Sequence, residues 1–159
     1  EMVTGNMGSK HHMNYTMMGD VVNTAARLES AAKQYGICIF TTEDTLLLAG
    51  VDRYCWRYID RVQFVGKTVW IQTVEVIDFK EDVDKDYLKL VDLFHKGLET
   101  YYNLEWDNAI RIFNESLKLE SYDVSNYINP SQIFIDRSEE FKKFPPRKGW
   151  RGAFVLTSK

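Results

Sequence analysis

The chain has 159 residues, 45% of them hydrophobic and 27% charged, with 20 Lys and Arg against 23 Asp and Glu. That length suits one domain, or a small domain with an appendage, able to bury a core without disulfide or metal support. A formal net charge of −3 excludes broad nucleic-acid binding, which needs a surplus of cations to neutralise phosphates. Two cysteines, Cys38 and Cys55, do not make a disulfide framework, and a reducing compartment is expected. No stretch approaches the roughly 18 apolar residues that cross a bilayer. The opening at Glu1 and Met2 has neither the basic nor the apolar region of a signal peptide. A first motif that starts by residue 5 leads us to expect a fragment of a longer protein.

Residues 1–79 mix strand and helix patterns. Glu1–Gly8 and Met13–Met18 are predicted as short strands around the polar turn Ser9-Lys10-His11-His12. A helix is expected from Asp20 to about Lys33, with Val21, Val22, Ala25, Ala26, Leu28 and Ala32 as its apolar stripe. Asp20 is its expected N-cap and Gly36 its end. Ile37–Phe40 reads as a short apolar strand that buries Cys38 as a small hydrophobe. Thr42-Glu43-Asp44 opens a short helix to about Leu48. Tyr54–Phe64 is rich in strand-forming Tyr, Trp, Ile and Val. Val65-Gly66-Lys67-Thr68 then turns the chain into a strand over Val69–Ile77.

Residues 80–86 form an acidic linker, without the glycine and spaced ligands of a calcium loop. Beyond it, residues 87–159 read as a helical extension. Tyr87–Tyr102 and Leu104–Glu120 are predicted as a helical hairpin, faced by Leu90, Leu93, Phe94, Gly97, Leu98 and Tyr101 on one side. Trp106, Ala109, Ile110, Phe113 and Leu117 face them from the other. Gly97, Ala109 and Phe113 have the spacing of a tetratricopeptide repeat, with Tyr101 one residue off the usual aromatic position and Ser121 in place of the usual proline. A third helix is expected from Pro130 to about Lys143, stopped by Pro145-Pro146. The tail from Gly149 to Lys159 carries Trp150 and Ala153-Phe154-Val155-Leu156 and is expected to dock. Tyr101, Tyr102, Trp106 and Phe113 recur at helical spacing, which points to core packing. His11 and His12 are adjacent, point opposite ways on extended chain, and make a poor metal chelate.

The chemistry concentrates in Tyr15-Thr16-Met17-Met18-Gly19-Asp20-Val21-Val22-Asn23-Thr24-Ala25-Ala26-Arg27-Leu28-Glu29-Ser30. Asn23 and Arg27 lie four apart on the predicted helix, so their side chains share a face. An amide and a guanidinium in the first two turns of a helix suit a polyphosphate, because the helix start is electropositive and Arg brings a fixed fork of donors. Such a pair would stabilise charge that grows on phosphate oxygens during transfer. The competing explanation is a solvated stripe, or pairing of Arg27 with Glu29 or Asp20.

The full string resembles the signature of the class III nucleotidyl cyclases. The resemblance runs through Gly5-Asn6-Met7-Gly8-Ser9, Tyr15-Thr16-Met17-Met18-Gly19-Asp20, Val22-Asn23 and Ala25-Ala26-Arg27-Leu28-Glu29, with a weaker match at Arg61-Val62-Gln63-Phe64-Val65-Gly66-Lys67 and Val74-Glu75-Val76. It covers about residues 1–79, as the C-terminal half of the catalytic domain. The helical remainder, with Asn129-Pro130-Ser131, Asp136-Arg137 and Trp150-Arg151-Gly152, looks like the C-terminal extension of certain bacterial adenylate cyclases. The resemblance implies an α+β fold, a partial ferredoxin-like cyclase domain followed by an α-helical hairpin. It implies adenylate cyclase activity, in which the ribose 3′-oxygen of ATP attacks the α-phosphate to give 3′,5′-cyclic AMP and pyrophosphate. Arg27 would hold the phosphates, Asn23 would orient the ribose, and Thr16 would help select the purine, favouring ATP over GTP. Mg²⁺ or Mn²⁺ would bridge the phosphates at a two-metal site, and a homodimer partner would complete the active site. A membrane sensor region ahead of the catalytic domain would anchor the whole protein at the inner membrane, with this part on the cytoplasmic side.

Two departures stand out. The metal-binding aspartates of the family and the lysine that partners Thr16 would lie upstream of the first motif, and this chain supplies no metal ligands. Val65 stands where the family has a phosphate-binding lysine; Lys67, two residues later, either reaches the phosphates or is a solvated turn lysine. A catalytically degenerate interaction module and a guanylate cyclase remain the alternatives.

Overall fold

In a computed structural model, residues 1–120 and 128–156 are described. The expectation attached to Ser121, and the last three residues of the tail, lie outside them. The chain runs β1 (Val3–Ser9), β2 (His12–Met18), α1 (Asp20–Tyr35), β3 (Phe40–Thr42), α2 (Glu43–Ala49), β4 (Tyr54–Phe64), β5 (Ile71–Phe79), α3 (Lys85–Tyr102), α4 (Trp106–Leu117), α5 (Pro130–Lys143) and β6 (Ala153–Leu156). This is an α+β arrangement. β1 and β2 form a separate antiparallel ribbon, and the second sheet has the order β3-β5-β4-β6. β3, β5 and β4 pair antiparallel, whereas β6 lies parallel to β4 from Arg61↔Ala153 to Phe64↔Leu156. The expected docking of the tail is therefore a strand addition. The chain returns from the helices to the sheet built by residues 40–79.

Several boundaries differ from the sequence reading. Asp20 is not the N-cap of α1; Gly19 holds that place, no side chain caps the helix, and Asp20 is its first residue. Gly19 has φ 151°, and a Cβ there would lie 2.9 Å from the Glu1 carbonyl oxygen, so the sharp passage from β2 into α1 needs glycine. The stripe is also narrower than expected: Leu28, Ala31, Ala32 and Tyr35 are buried, but Val21, Ala25 and Ala26 face solvent. Burial is confined to the C-terminal half of the helix.

The third strand starts at Phe40 instead of Ile37. Gly36 adopts the left-handed conformation, and Gly36 and Ile37 both return their N–H to the Ala32 carbonyl, so these residues close α1. Cys38 is consequently exposed, and Cys55 is the buried thiol. β5 starts at Ile71 because Val69 and Trp70 sit exposed in the β4–β5 turn. Its middle residues Thr73, Val74 and Glu75 are all buried, so both faces are covered there. The acidic segment is shorter than expected, because Asp84 caps α3 through the N–H groups of Asp86 and Tyr87.

The larger core joins the two sequence halves. Tyr35, Ile37 and Ile59 pack with Phe94, Leu98, Tyr101, Ala109, Phe113, Phe134 and Ile135. Gly97 lets α3 and α4 meet: a Cβ on it would lie 2.6 Å from the Phe113 ring. Tyr101, fully buried, meets Trp106, Phe134 and Trp150 edge to face at 4.9–5.5 Å. A smaller core of Leu28, Ala31, Val62, Phe64 and Leu156 fixes α1 to β4 and β6. Among the described residues no helix is long and apolar enough to cross a membrane.

Candidate functional site

The first two turns of α1 and the β4–β5 turn face each other across an open cleft of about 330 Å³. Asp20, Asn23, Thr24 and Arg27 line it from the helix, and Phe64, Lys67, Thr68, Val69 and Ile71 from the sheet side. Of the residues expected to act on the nucleotide, Asn23, Arg27 and Lys67 come together here. Thr16 does not line this cleft; it sits exposed on β2, opposite Gly5.

Each cation has a distinct setting. Arg27 donates from one terminal nitrogen to the Val65 carbonyl at 3.1 Å, and its guanidinium carbon lies 5.6 Å from the centre of the Phe64 ring. The side chain is thereby aimed across the cleft, with its remaining donors available at an exposed position. Glu29, a proposed partner for Arg27, pairs with Lys33 at 2.8 Å instead. Lys67 donates to Asp20 at 2.7 Å. That hydrogen bond and the Lys67 charge hold the Asp20 carboxyl below its ordinary value, against the small opposing effect of burial. The turn itself is set by the Lys67 N–H to the Phe64 carbonyl and by Gln63 donating to the Lys67 carbonyl at 2.8 Å.

The lining thus carries two cations and one carboxylate. Thr24 bonds the Asp20 carbonyl one turn back at 2.9 Å and leaves Asn23 as the exposed amide beside Arg27. Amide and guanidinium donors at the start of a helix favour an anion with several oxygens. They do not suit a divalent cation, because Asp20 is the one carboxylate in the lining and Lys67 occupies it. Among the described residues, no group of three or more His, Cys, Asp or Glu is placed to hold a metal ion.

The sequence reading missed the Asp20–Lys67 pair, whose members lie 47 residues apart and meet only because the β4–β5 turn folds back beside α1. It also missed two buried charge clusters centred on β4. Arg57 bonds Glu75 at 2.6 Å and Glu120 through both terminal nitrogens at 2.9 Å. Asp60 accepts from Tyr35 and from Arg137, each at 2.5 Å. The signal was present: Arg57 and Asp60 are charges set among the Trp, Tyr and Ile of a strand. Register shifts between Cys55/Trp56 and between Tyr58/Arg61 let β4 bury both.

No protein-family model and no solved structure matches the chain. Among curated proteins it is 30% identical over 139 residues to the terminal-differentiation-specific adenylate cyclase of Dictyostelium discoideum, covering 85% of this chain and 6% of that protein. It is 31% identical over 75 residues to adenylate cyclase 1 of Rhizobium meliloti, and 36% identical over 77 residues to an adenylate cyclase of Anabaena cylindrica. Each of these two matches covers 47% of this chain, and 11% and 15% of the respective relatives. The chain is related to adenylate cyclases. It spans a small fraction of their length. A match of 139 residues cannot fit within residues 1–79, so the likeness to the Dictyostelium protein reaches into the helical part as well.

Proposed function

We propose that this chain contributes the phosphate-holding side of an adenylate cyclase active site. The observation that carries the reading is the convergence of Asn23, Arg27 and Lys67 on one cleft, in a chain related to adenylate cyclases. In the proposed reaction the ribose 3′-oxygen attacks the α-phosphate, and pyrophosphate leaves. Arg27 bonds the phosphate oxygens whose charge grows in the transition state, and Asn23 orients the ribose from the adjacent helical position. Lys67 neutralises the leaving polyphosphate, at the cost of loosening its pair with Asp20. A pair of divalent cations, Mg²⁺ or Mn²⁺, belongs to the proposal with carboxylate ligands from outside this chain.

The same reading assigns the facing half of the site to a second subunit. The ribbon β1–β2 supports this, because Met13, Tyr15 and Met17 alternate along β2, share one face and are 51–75% exposed. Thr16 on that ribbon would meet the purine, and ATP is the proposed base-matched substrate. The packing of Gly97 against Phe113 supports a repeat-like character for α3 and α4. A membrane-anchored sensor ahead of the catalytic domain completes the proposal for the whole protein.

The test is conversion of ATP to cyclic AMP by the full-length protein. Arg27→Ala is expected to lower kcat by about 10²–10³, and ATP should outcompete GTP. The isolated 159-residue chain is expected to make no cyclic AMP. Turnover by the isolated chain overturns the half-site reading, and a full-length protein indifferent to Arg27→Ala overturns the assignment of the cleft.

A further inference from the structure

We infer that Arg137, on α5 of the helical extension, is a positioning residue that sets the width of the α1–β4 cleft. The inference rests on the proposed phosphate-holding role of that cleft. Its basis is where the guanidinium reaches. One terminal nitrogen of Arg137 bonds Asp60 on β4 at 2.5 Å, and the other bonds the Tyr35 hydroxyl at the end of α1 at 3.1 Å. Tyr35 itself donates to Asp60 at 2.5 Å, which closes a three-membered network. The guanidinium also lies over the Phe154 ring of β6 at 3.5 Å.

α1 is one wall of the cleft, and β4 ends at Phe64 where the β4–β5 turn begins the other. Tyr35 follows Arg27 by eight residues on a single helix, about 12 Å along its axis. Asp60 precedes Phe64 and Val65, which hold the Arg27 guanidinium by ring face and carbonyl. A shift of Tyr35 relative to Asp60 therefore moves Arg27 relative to the Lys67 turn, because α1 and β4 are regular elements that transmit it to Arg27 and to the start of the turn. The smaller core contacts between α1 and β4 are apolar and non-directional, whereas the Arg137 network specifies direction. Asp60 is fully buried and the Arg137 side chain is 12% exposed, so water does not substitute for either partner. Through this contact the position of α5 reaches a site to which α5 contributes no lining residue.

The experiment titrates inorganic pyrophosphate into the 159-residue chain, with the Arg27 side-chain Nε–H and the Asn23 amide followed by NMR. Tyr35→Phe keeps the ring and removes one hydroxyl. Arg137→Gln removes the charge, and Arg137→Lys keeps the charge but cannot bridge both partners. Tyr35→Phe and Arg137→Gln are expected to shift the ligand-free Arg27 Nε–H resonance and weaken pyrophosphate binding about tenfold, with Arg137→Lys between them and the unsubstituted chain. A lower Tm with unchanged affinity and unchanged Arg27 resonance shows a merely structural role and overturns the inference. If Arg137→Gln does not fold, Tyr35→Phe decides by the same two readouts. Arg27→Ala separates the two levels. If it abolishes binding while Tyr35→Phe leaves affinity unchanged, the inference fails and the phosphate site stands. Unsaturable pyrophosphate binding, or saturable binding indifferent to Arg27→Ala, overturns the phosphate site and the inference with it.

Discussion

The two ends of this molecule are built on opposite terms. Every residue of β2 is exposed and the β1–β2 ribbon shares few contacts with the rest, yet it carries part of the string that resembles a cyclase signature. The sheet and helices α3–α5 share a core of aromatic rings closed by buried ion pairs. A two-stranded ribbon alone is marginal in water, so the stability of this chain resides in the sheet–helix junction. The proposed site lies between the two regions, where α1 passes from an exposed first half to a buried second half. The helical part is therefore a structural partner of the sheet: without it, Ile59, Tyr35 and Ile37 lose their cover.

The largest expected effect breaks the junction at its charges. Arg57 is fully buried between Glu75 and Glu120 and stacks on Phe94 at 4.6 Å. Arg57→Met leaves two buried carboxylates without their cation and should cost about 3–5 kcal/mol in urea unfolding. A loss below about 1 kcal/mol would place the main stability elsewhere.

Next comes the closest helix contact. Gly97→Ala places a methyl against the Phe113 ring, and the expected loss is about 1–3 kcal/mol in spite of alanine's higher helix propensity. A Gly97→Ala/Phe113→Leu double substitution should recover part of it, read by the urea midpoint.

A smaller effect follows from pH. His95 on α3 accepts the Tyr58 N–H of β4 through Nε2 at 2.9 Å, so it serves the junction as a neutral ring. Burial, and then the nearby Arg57 charge, lower its pKa below the ordinary 6.5, with Asp92 acting weakly the other way. The unfolded chain thus takes up the proton first. The contribution of His95 is complete above pH 6.5 and declines as pH falls through that value toward the lowered one. Thermal unfolding should come a few degrees earlier at pH 5 than at pH 7.5, and His95→Gln should flatten that difference.

The smallest effects on stability belong to the exposed region. Tyr15→Ser and Arg27→Ala should each change unfolding free energy by no more than about 0.5 kcal/mol. Arg27→Ala should nevertheless abolish pyrophosphate binding, and Tyr15→Ser should weaken association of the full-length protein in sedimentation. Large destabilisation by either would show that the ribbon and the helix start are integral to the fold.

Much of the layout was legible because periodicity and punctuation are local. Tyr54–Phe64 and Pro130–Lys143 have the expected bounds, since β-branched and aromatic residues, a capping Asn129 and Pro130 act within a few positions. Asn23 and Arg27 were legible as neighbours from helical spacing alone. Lys67 was open between two explanations; it is an exposed turn lysine that lines the cleft and pairs with Asp20. Asp20 was misassigned as a cap because Asp before an apolar stripe is the ordinary cap signal, whereas a lysine 47 residues away engages it here. Cys38 was misassigned because an apolar run does not distinguish a strand from a helix-closing loop.

The sequence by itself determined the element types, the change of composition near residue 80, and the placing of Asn23 and Arg27 on one helix face. Only the tertiary structure decided that residues 87–156 complete the sheet and core begun by residues 1–79. β6 was readable as an apolar run, but its parallel place beside β4 depends on the path of three helices. Arg57 and Asp60 were readable as charges in a strand, but their burial depends on Glu120 and Arg137 arriving from distant helices. Local rules concern groups that meet within one helical turn or one hairpin. A buried charge is tolerated only where the whole chain brings its partner, and that is a property of the packed molecule.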